Sequence, residues 1–158
     1  TKADWEDHLT TLFPEARVKR FIEMRGADAG SWQSLCALPA FWVGLLYDGA
    51  TQKRVADMIA DWTQDERVTL RRGAPVSGLA TPFRGGTLRD LAADVLALAE
   101  QGLQARANLD GTGSNETQFL HTLQDSVARG QTPADSLLAK FNGEWQGQVA
   151  PIFDALAF

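Results

Sequence analysis

The stretch WQSLCALPAFWVGLLY, Trp32 to Tyr47, decides how this chain folds. It is apolar nearly all round a helical wheel. A helix with that character belongs inside the protein, so this segment is the expected centre of the core. Pro39 lies in its middle. Proline lacks a backbone N–H and clashes with the preceding turn, so a kink or a division into two helices is expected there.

Working outward, helical signals dominate. Upstream, Asp4 to Phe13 places Trp5, Leu9, Leu12 and Phe13 at helical spacing and stops at Pro14. Downstream, Asp48-Gly49 marks a turn, and Thr51 to Trp62 is amphipathic through Val55, Met58, Ile59 and Trp62. Thr63 and Glu66 form a capping box that opens a helix over Gln64 to Arg71. Gly73 to Gly86 is rich in glycine and proline and reads as an irregular loop. Thr87 to Arg106 is the clearest helix, with Leu88, Leu91, Val95, Leu98 and Ala99 as its inner stripe. Asn108 to Asn115 is a polar surface loop. Helices are expected over Glu116 to Ala128, from Pro133 to Phe141 behind the Thr132 cap, and over Gln146 to Leu156. The five tryptophans read mainly as core packing.

One segment behaves differently. In residues 16–25, Val18, Ile22 and Met24 fall on one face of an extended chain, and Arg17, Lys19, Phe21, Glu23 and Arg25 on the other. The reading is a single strand over residues 17–25, followed by a helical remainder over residues 32–158. The fold class is therefore mostly α with one or two strands. A lone strand leaves its backbone groups unpaired, so its neighbours are expected in sequence not present here or in another chain.

Composition narrows the function. The chain has 158 residues, 15 Lys plus Arg, 20 Asp plus Glu and a net charge of −5. Neutralising phosphates needs a basic face, so this balance argues against a nucleic-acid binder. One cysteine excludes an internal disulfide, and two histidines with that cysteine are too few for the usual zinc sets. The apolar run Ala37 to Tyr47 is too short to cross a bilayer. These features point to a cytoplasmic protein, and the start at Thr1 to a fragment or processed chain.

The residues best suited to chemistry are Glu23-Met24-Arg25. On a strand, positions i and i+2 point the same way, about 6.8 Å apart. A carboxylate is a hard ligand for Mg²⁺ that also holds phosphate oxygens. A guanidinium beside it can stabilise a phosphoryl group in transfer. The competing reading is a surface ion pair of little energetic value.

The surrounding residues add to this. FIEMRGADAGSWQSLCALPAFWVGLLYD, Phe21 to Asp48, resembles the C-terminal block of glutamate–cysteine ligase in the form shared by plants and many proteobacteria. The resemblance starts at DWEDHLTTLFPEARVKR (Asp4 to Arg20). It continues through DWTQDER (Asp61 to Arg67), PVSGLATPFR (Pro75 to Arg84), TLRDLAADVLALAEQGL (Thr87 to Leu103) and TPADSLL (Thr132 to Leu138).

The resemblance implies an enzyme that joins the γ-carboxylate of glutamate to the amine of cysteine. It uses ATP with Mg²⁺, through γ-glutamyl phosphate, in the first step of glutathione synthesis. It implies the C-terminal portion of a glutamine-synthetase-like α+β domain, whose antiparallel sheet is completed by missing N-terminal sequence. It places the metal-ligand role on Glu23 and the phosphoryl-stabilising, nucleotide-contacting role on Arg25. Asp28 would either orient Arg25 or a metal-bound water, or simply make the turn. Trp32 is the one tryptophan placed to line the cleft. The expected substrates are glutamate, cysteine and ATP, with no nucleic acid and no membrane. The isolated piece is expected to be inactive. Plant members usually carry basic residues where this chain has Gln33 and Ser34. The alternatives are a non-catalytic α-helical interaction module derived from the family, and a related ligase using another amino acid.

Overall fold

The computed structural model describes residues 1–157. The helical expectation is borne out: eight α-helices accompany two small antiparallel sheets of two strands each. In chain order, α1 (Lys2–Thr10) leads into β1 (Ala16–Val18) and β2 (Ile22–Met24). Then follow α2 (Trp32–Leu46), α3 (Gly49–Ile59) and α4 (Gln64–Ser77). A second hairpin, β3 (Pro82–Phe83) with β4 (Gly86–Thr87), precedes the long α5 (Leu88–Arg106). The chain closes with α6 (His121–Arg129), α7 (Pro133–Asn142) and α8 (Pro151–Ala155).

The core forms where α2 meets α5. Ala40, Leu45, Leu98, Ala99, Leu103 and Leu120 are buried together, with Trp42, Val55 and Met58 packed around them. Leu103 and Leu120 are completely enclosed. Each such leucine contributes about 1.5–3 kcal/mol relative to exposure. Two glycines let the helices approach this closely. A Cβ on Gly44 would fall on the carbonyl group of Ala99, and one on Gly102 would fall on the carbonyl oxygen of Gly44.

Only one stripe of α2 is enclosed: Ala37, Ala40, Gly44 and Leu45. Trp32, Leu35 and Leu38 face solvent, so the helix is not buried all round. Composition cannot tell a face covered by these residues from one they leave open. The helix also runs unbroken through Pro39, so the expected division does not occur. One backbone hydrogen bond is forgone, and the packed stripe on either side keeps the helix whole.

Residues 16–25 form a hairpin, not a single strand. β1 pairs antiparallel with β2, placing Ala16 opposite Met24, Arg17 opposite Glu23 and Val18 opposite Ile22. The turn Lys19-Arg20-Phe21 carries no glycine, proline or asparagine, so nothing in the local sequence announced it. The partition into two faces survives the fold-back, because opposed residues share a face. The missing partner strand is thus inside the segment itself.

The region read as an irregular loop is largely ordered. α4 continues to Ser77 through Gly73 and Pro75. A Cβ on Gly73 would strike the side chain of the buried Thr81, so this glycine serves close approach and not a break. The last helix shortens in the opposite sense. Gln146 and Gly147 adopt positive φ, and α8 spans only Pro151–Ala155, the proline standing in its first turn. Glu116 to Leu120 is a 3-10 turn ahead of α6. The capping boxes at Thr63 and Thr132 form, and at the start of α5 the Asp90 carboxylate accepts from the backbone N–H and hydroxyl of Thr87. Trp145 is buried and Trp42 packs on the core, whereas Trp5 and Trp32 are exposed, so the tryptophans are not uniformly packing residues. Phe158, the end of the expected helical remainder, lies outside the described residues.

Candidate functional site

The β1–β2 hairpin carries both residues singled out by sequence. Glu23 stands in the middle of β2, and its carboxylate meets Arg17 across the ladder. The Arg17 Nε donates to Glu23 Oε2 at 2.8 Å. Lys19 Nζ lies 4.0 Å from the same oxygen. The hydrogen bond from Arg17 holds the Glu23 carboxyl below the usual carboxylate range, with the charges of Arg17, Lys19 and Arg25 adding to the effect. Oε1 receives no hydrogen bond among the described residues.

Arg25 follows β2 directly. Its backbone N–H donates to the Glu15 carbonyl at 2.8 Å, extending the ladder by one bond. Its guanidinium lies over the Phe13 ring, 5.1 Å from the centroid. Nη1 is buried and has no hydrogen-bond partner among the described residues. A buried, unpaired guanidinium nitrogen is costly, and such a group in a folded protein calls for an explanation. Glu23 and Arg25 do not pair with each other. The ion pair of the site is Arg17–Glu23, which the single-strand reading had no way to find. Reading residues 16–25 as a hairpin would have exposed it, because a three-residue turn sets Arg17 opposite Glu23. Asp28 is exposed in the loop after β2, with no side-chain hydrogen bond among the described residues, and Trp32 opens α2 with 69% of its surface exposed. The structure brings neither of them into hydrogen-bonding contact with Glu23 or Arg25.

A second cluster gathers at the β3–β4 hairpin. Arg84 and Gly85 form its two-residue turn, both with positive φ, as a type I′ turn requires. Arg84 Nε donates to Glu66 Oε1 at 2.5 Å and Nη2 to Glu66 Oε2 at 3.0 Å. Nη1 donates to both oxygens of Asp61, at 2.9 and 3.0 Å. Edge-on packing of Trp62 against Phe83 closes the cluster. With all three of its nitrogens engaged, Arg84 is a structural pin and not a free anion site. Arg71 is likewise paired, with Glu15 at 2.9 Å.

Arg84 and the backbone N–H of Thr63 hold the Glu66 carboxyl down at about 2, from an ordinary 4.5. A depressed carboxyl contributes stability that is complete above its unfolded value and lost as pH falls toward the folded one. The melting-temperature advantage of the native protein over Glu66→Gln is therefore expected to shrink between about pH 4.5 and pH 2. Circular dichroism melts across that window check it, and a difference indifferent to pH refutes the linkage.

The family model for glutamate–cysteine ligase family 2 matches residues 1–155. The chain belongs to that family. It is 53% identical to the chloroplastic glutamate–cysteine ligase of Arabidopsis thaliana over 155 residues, covering 98% of this chain and 28% of the relative. It is also 53% identical to the Brassica juncea enzyme over 100% of this chain and 30% of that relative. For the Nicotiana tabacum enzyme the identity is 51% over 100% of this chain and 29% of the relative. The chain thus spans about 30% of the length of the curated relatives it matches.

The names of these relatives correct one expectation. They are named as chloroplastic proteins, and that overturns the cytoplasmic location read from composition. Net charge and cysteine content are the same for a soluble protein of either compartment, so they carried no address. No helix among the described residues is long and apolar enough to cross a membrane.

The family implies a divalent metal. Among the described residues no three His, Cys, Asp or Glu side chains gather as a metal cluster. Mg²⁺ needs no such cage: it is usually held by one or two carboxylates, substrate phosphates and water. The unengaged Oε1 of Glu23 fits a magnesium ion that also holds phosphate oxygens on this hairpin.

Proposed function

We propose that this chain is part of an ATP- and Mg²⁺-dependent ligase that joins the γ-carboxylate of glutamate to the amine of cysteine, the first step of glutathione synthesis. The observation that carries the proposal is the identity of about 50% along the entire chain with enzymes named for that reaction. Glu23 supplies one carboxylate oxygen to the metal. Arg25, whose side chain is only partly buried, offers its guanidinium to the transferred phosphoryl group, meeting the charge that grows as it leaves ATP. A Mg²⁺ held there would neutralise phosphate charge. Asp28 and Trp32 stand at the exposed rim of this cleft and not among its contacts. The remaining carboxylates, the amino-acid pockets and further strands beside the β1–β2 hairpin come from polypeptide outside these residues. The open apolar faces of α1 (Trp5, Leu9), the hairpin (Val18, Ile22) and α2 (Trp32, Leu35) support that assignment. A two-stranded hairpin is marginal on its own.

The test is phosphate release by the full-length protein with ATP, Mg²⁺ and glutamate, with and without cysteine. Product formation that depends on cysteine is expected. Turnover indifferent to cysteine, or dependent on a different amino acid, would sink the assignment. Substituting Glu23→Gln in the same protein removes the anionic ligand, and the Mg²⁺ concentration for half-maximal activity is expected to rise at least several-fold. A metal titration unchanged by the substitution refutes the ligand role.

A further inference from the structure

We propose that Arg17 is a positioning residue for Glu23: it fixes one carboxylate oxygen and leaves the other for the metal. The inference rests on the reading of Glu23 as a magnesium ligand. Three observations carry it. Arg17 and Glu23 are directly opposed in the ladder, so their side chains emerge on one face of the hairpin. The Arg17 Nε–Glu23 Oε2 contact is 2.8 Å, within the range of a charge-assisted hydrogen bond. Both side chains are half-buried, at 26% and 31% exposure, and Oε1 is left without a hydrogen bond among the described residues.

The last torsion of a glutamate is broad and roughly two-fold, so an untethered carboxylate presents either oxygen in many orientations. A directional donor on Oε2 restricts that freedom before the ion arrives. Partners of metal-ligating groups act in this way, and losing one typically costs 10–100-fold in metal affinity. Lys19 is a poor substitute. Its ammonium is 4.0 Å away and more exposed, and it lacks a fixed donor direction.

Charge and orientation act here with opposite signs. If Arg17 acted only through its charge, it would repel the incoming cation, and removing it would tighten metal binding. If it orients the carboxylate, removing it weakens binding. Mn²⁺ serves as the probe, titrated by electron paramagnetic resonance into the full-length protein with a non-hydrolysable ATP analogue present. Arg17→Met is expected to raise the Mn²⁺ dissociation constant 10–100-fold, and Arg17→Lys by an intermediate factor. Melting of the metal-free proteins is recorded alongside. Unchanged or tighter Mn²⁺ binding in Arg17→Met overturns the proposal. So does a loss of affinity that merely follows the metal-free melting temperature across both variants. Should Arg17→Met fail to fold, Arg17→Lys decides, and a dissociation constant within about twofold of the native value counts against it. Glu23→Gln separates the two readings. Undiminished Mn²⁺ binding in that variant refutes the ligand role itself, whereas weakened binding there beside native binding in Arg17→Met refutes only the positioning role.

Discussion

Replacing Arg25 with lysine in the full-length protein is expected to lower kcat by about 10²–10³, with the KM for glutamate changing much less. The magnitude is that of deleting one donor aimed at charge developing in a transition state, about 2.7–4 kcal/mol. Lysine keeps the charge, but it has one nitrogen in place of a planar fork, and its ammonium does not reproduce that donor geometry. The backbone anchor survives the change, because the Arg25 N–H donates to Glu15 whatever the side chain is. Loss of kcat with KM largely retained is the signature of an interaction made mainly in the transition state. The competing role is packing against Phe13, where the guanidinium lies 5.1 Å from the ring centroid. That role predicts a lower melting temperature and a native kcat for the protein that remains folded. Single-turnover measurement of ADP formation at saturating ATP and Mg²⁺ separates the two. A native rate in Arg25→Lys ends the phosphoryl-contact reading.

How the site could be read from sequence, and where that reading stopped, follows from what each signal measures. Side-chain parity is local, so the positions of Glu23 and Arg25 are legible in residues 16–25 even though the segment folds as a hairpin and not as one continuous strand. A turn made of Lys19, Arg20 and Phe21 has no conformational signature of its own, and the packing that closes it is not written in those three residues. The Arg17–Glu23 pair was hidden for that reason. The caps at Thr63 and Thr132 are legible because both partners lie within one turn of helix. Glycine is ambiguous by nature. Gly85 supports a positive-φ turn, while Gly73 and Gly44 stand in helices and serve close contact. Sequence alone cannot separate those uses, so the helical part of residues 73–86 was missed. Arg84 was equally opaque, since its partners Asp61 and Glu66 are 23 and 18 residues away.

The helix crossing gives the largest expected effect on stability. Gly44→Ala adds a single methyl group, and in most helices that change is favourable by about 0.8–1.0 kcal/mol. Here the methyl would land on the backbone of Ala99, which cannot rotate away as a side chain tip can. α2 and α5 must separate, and the enclosed Leu98, Ala99 and Leu103 lose contact along the seam. Overpacking of a close-packed core costs about 1–3 kcal/mol, and more where backbone must move. The expected result for Gly44→Ala is a net loss of about 3 kcal/mol or more, a large share of the ~5–15 kcal/mol that holds a typical domain together. Gly102→Ala should behave similarly, because its methyl would strike the carbonyl of Gly44. The two sites share one contact, so the double variant should lose less than the sum of the single losses: once the helices are apart, the second methyl meets open space. Denaturant unfolding of the two single variants and the double variant measures both effects. A Gly44→Ala protein as stable as the native one would mean that the seam is not close-packed at this crossing. Fully additive losses would mean that the two glycines do not act on one shared approach of the helices.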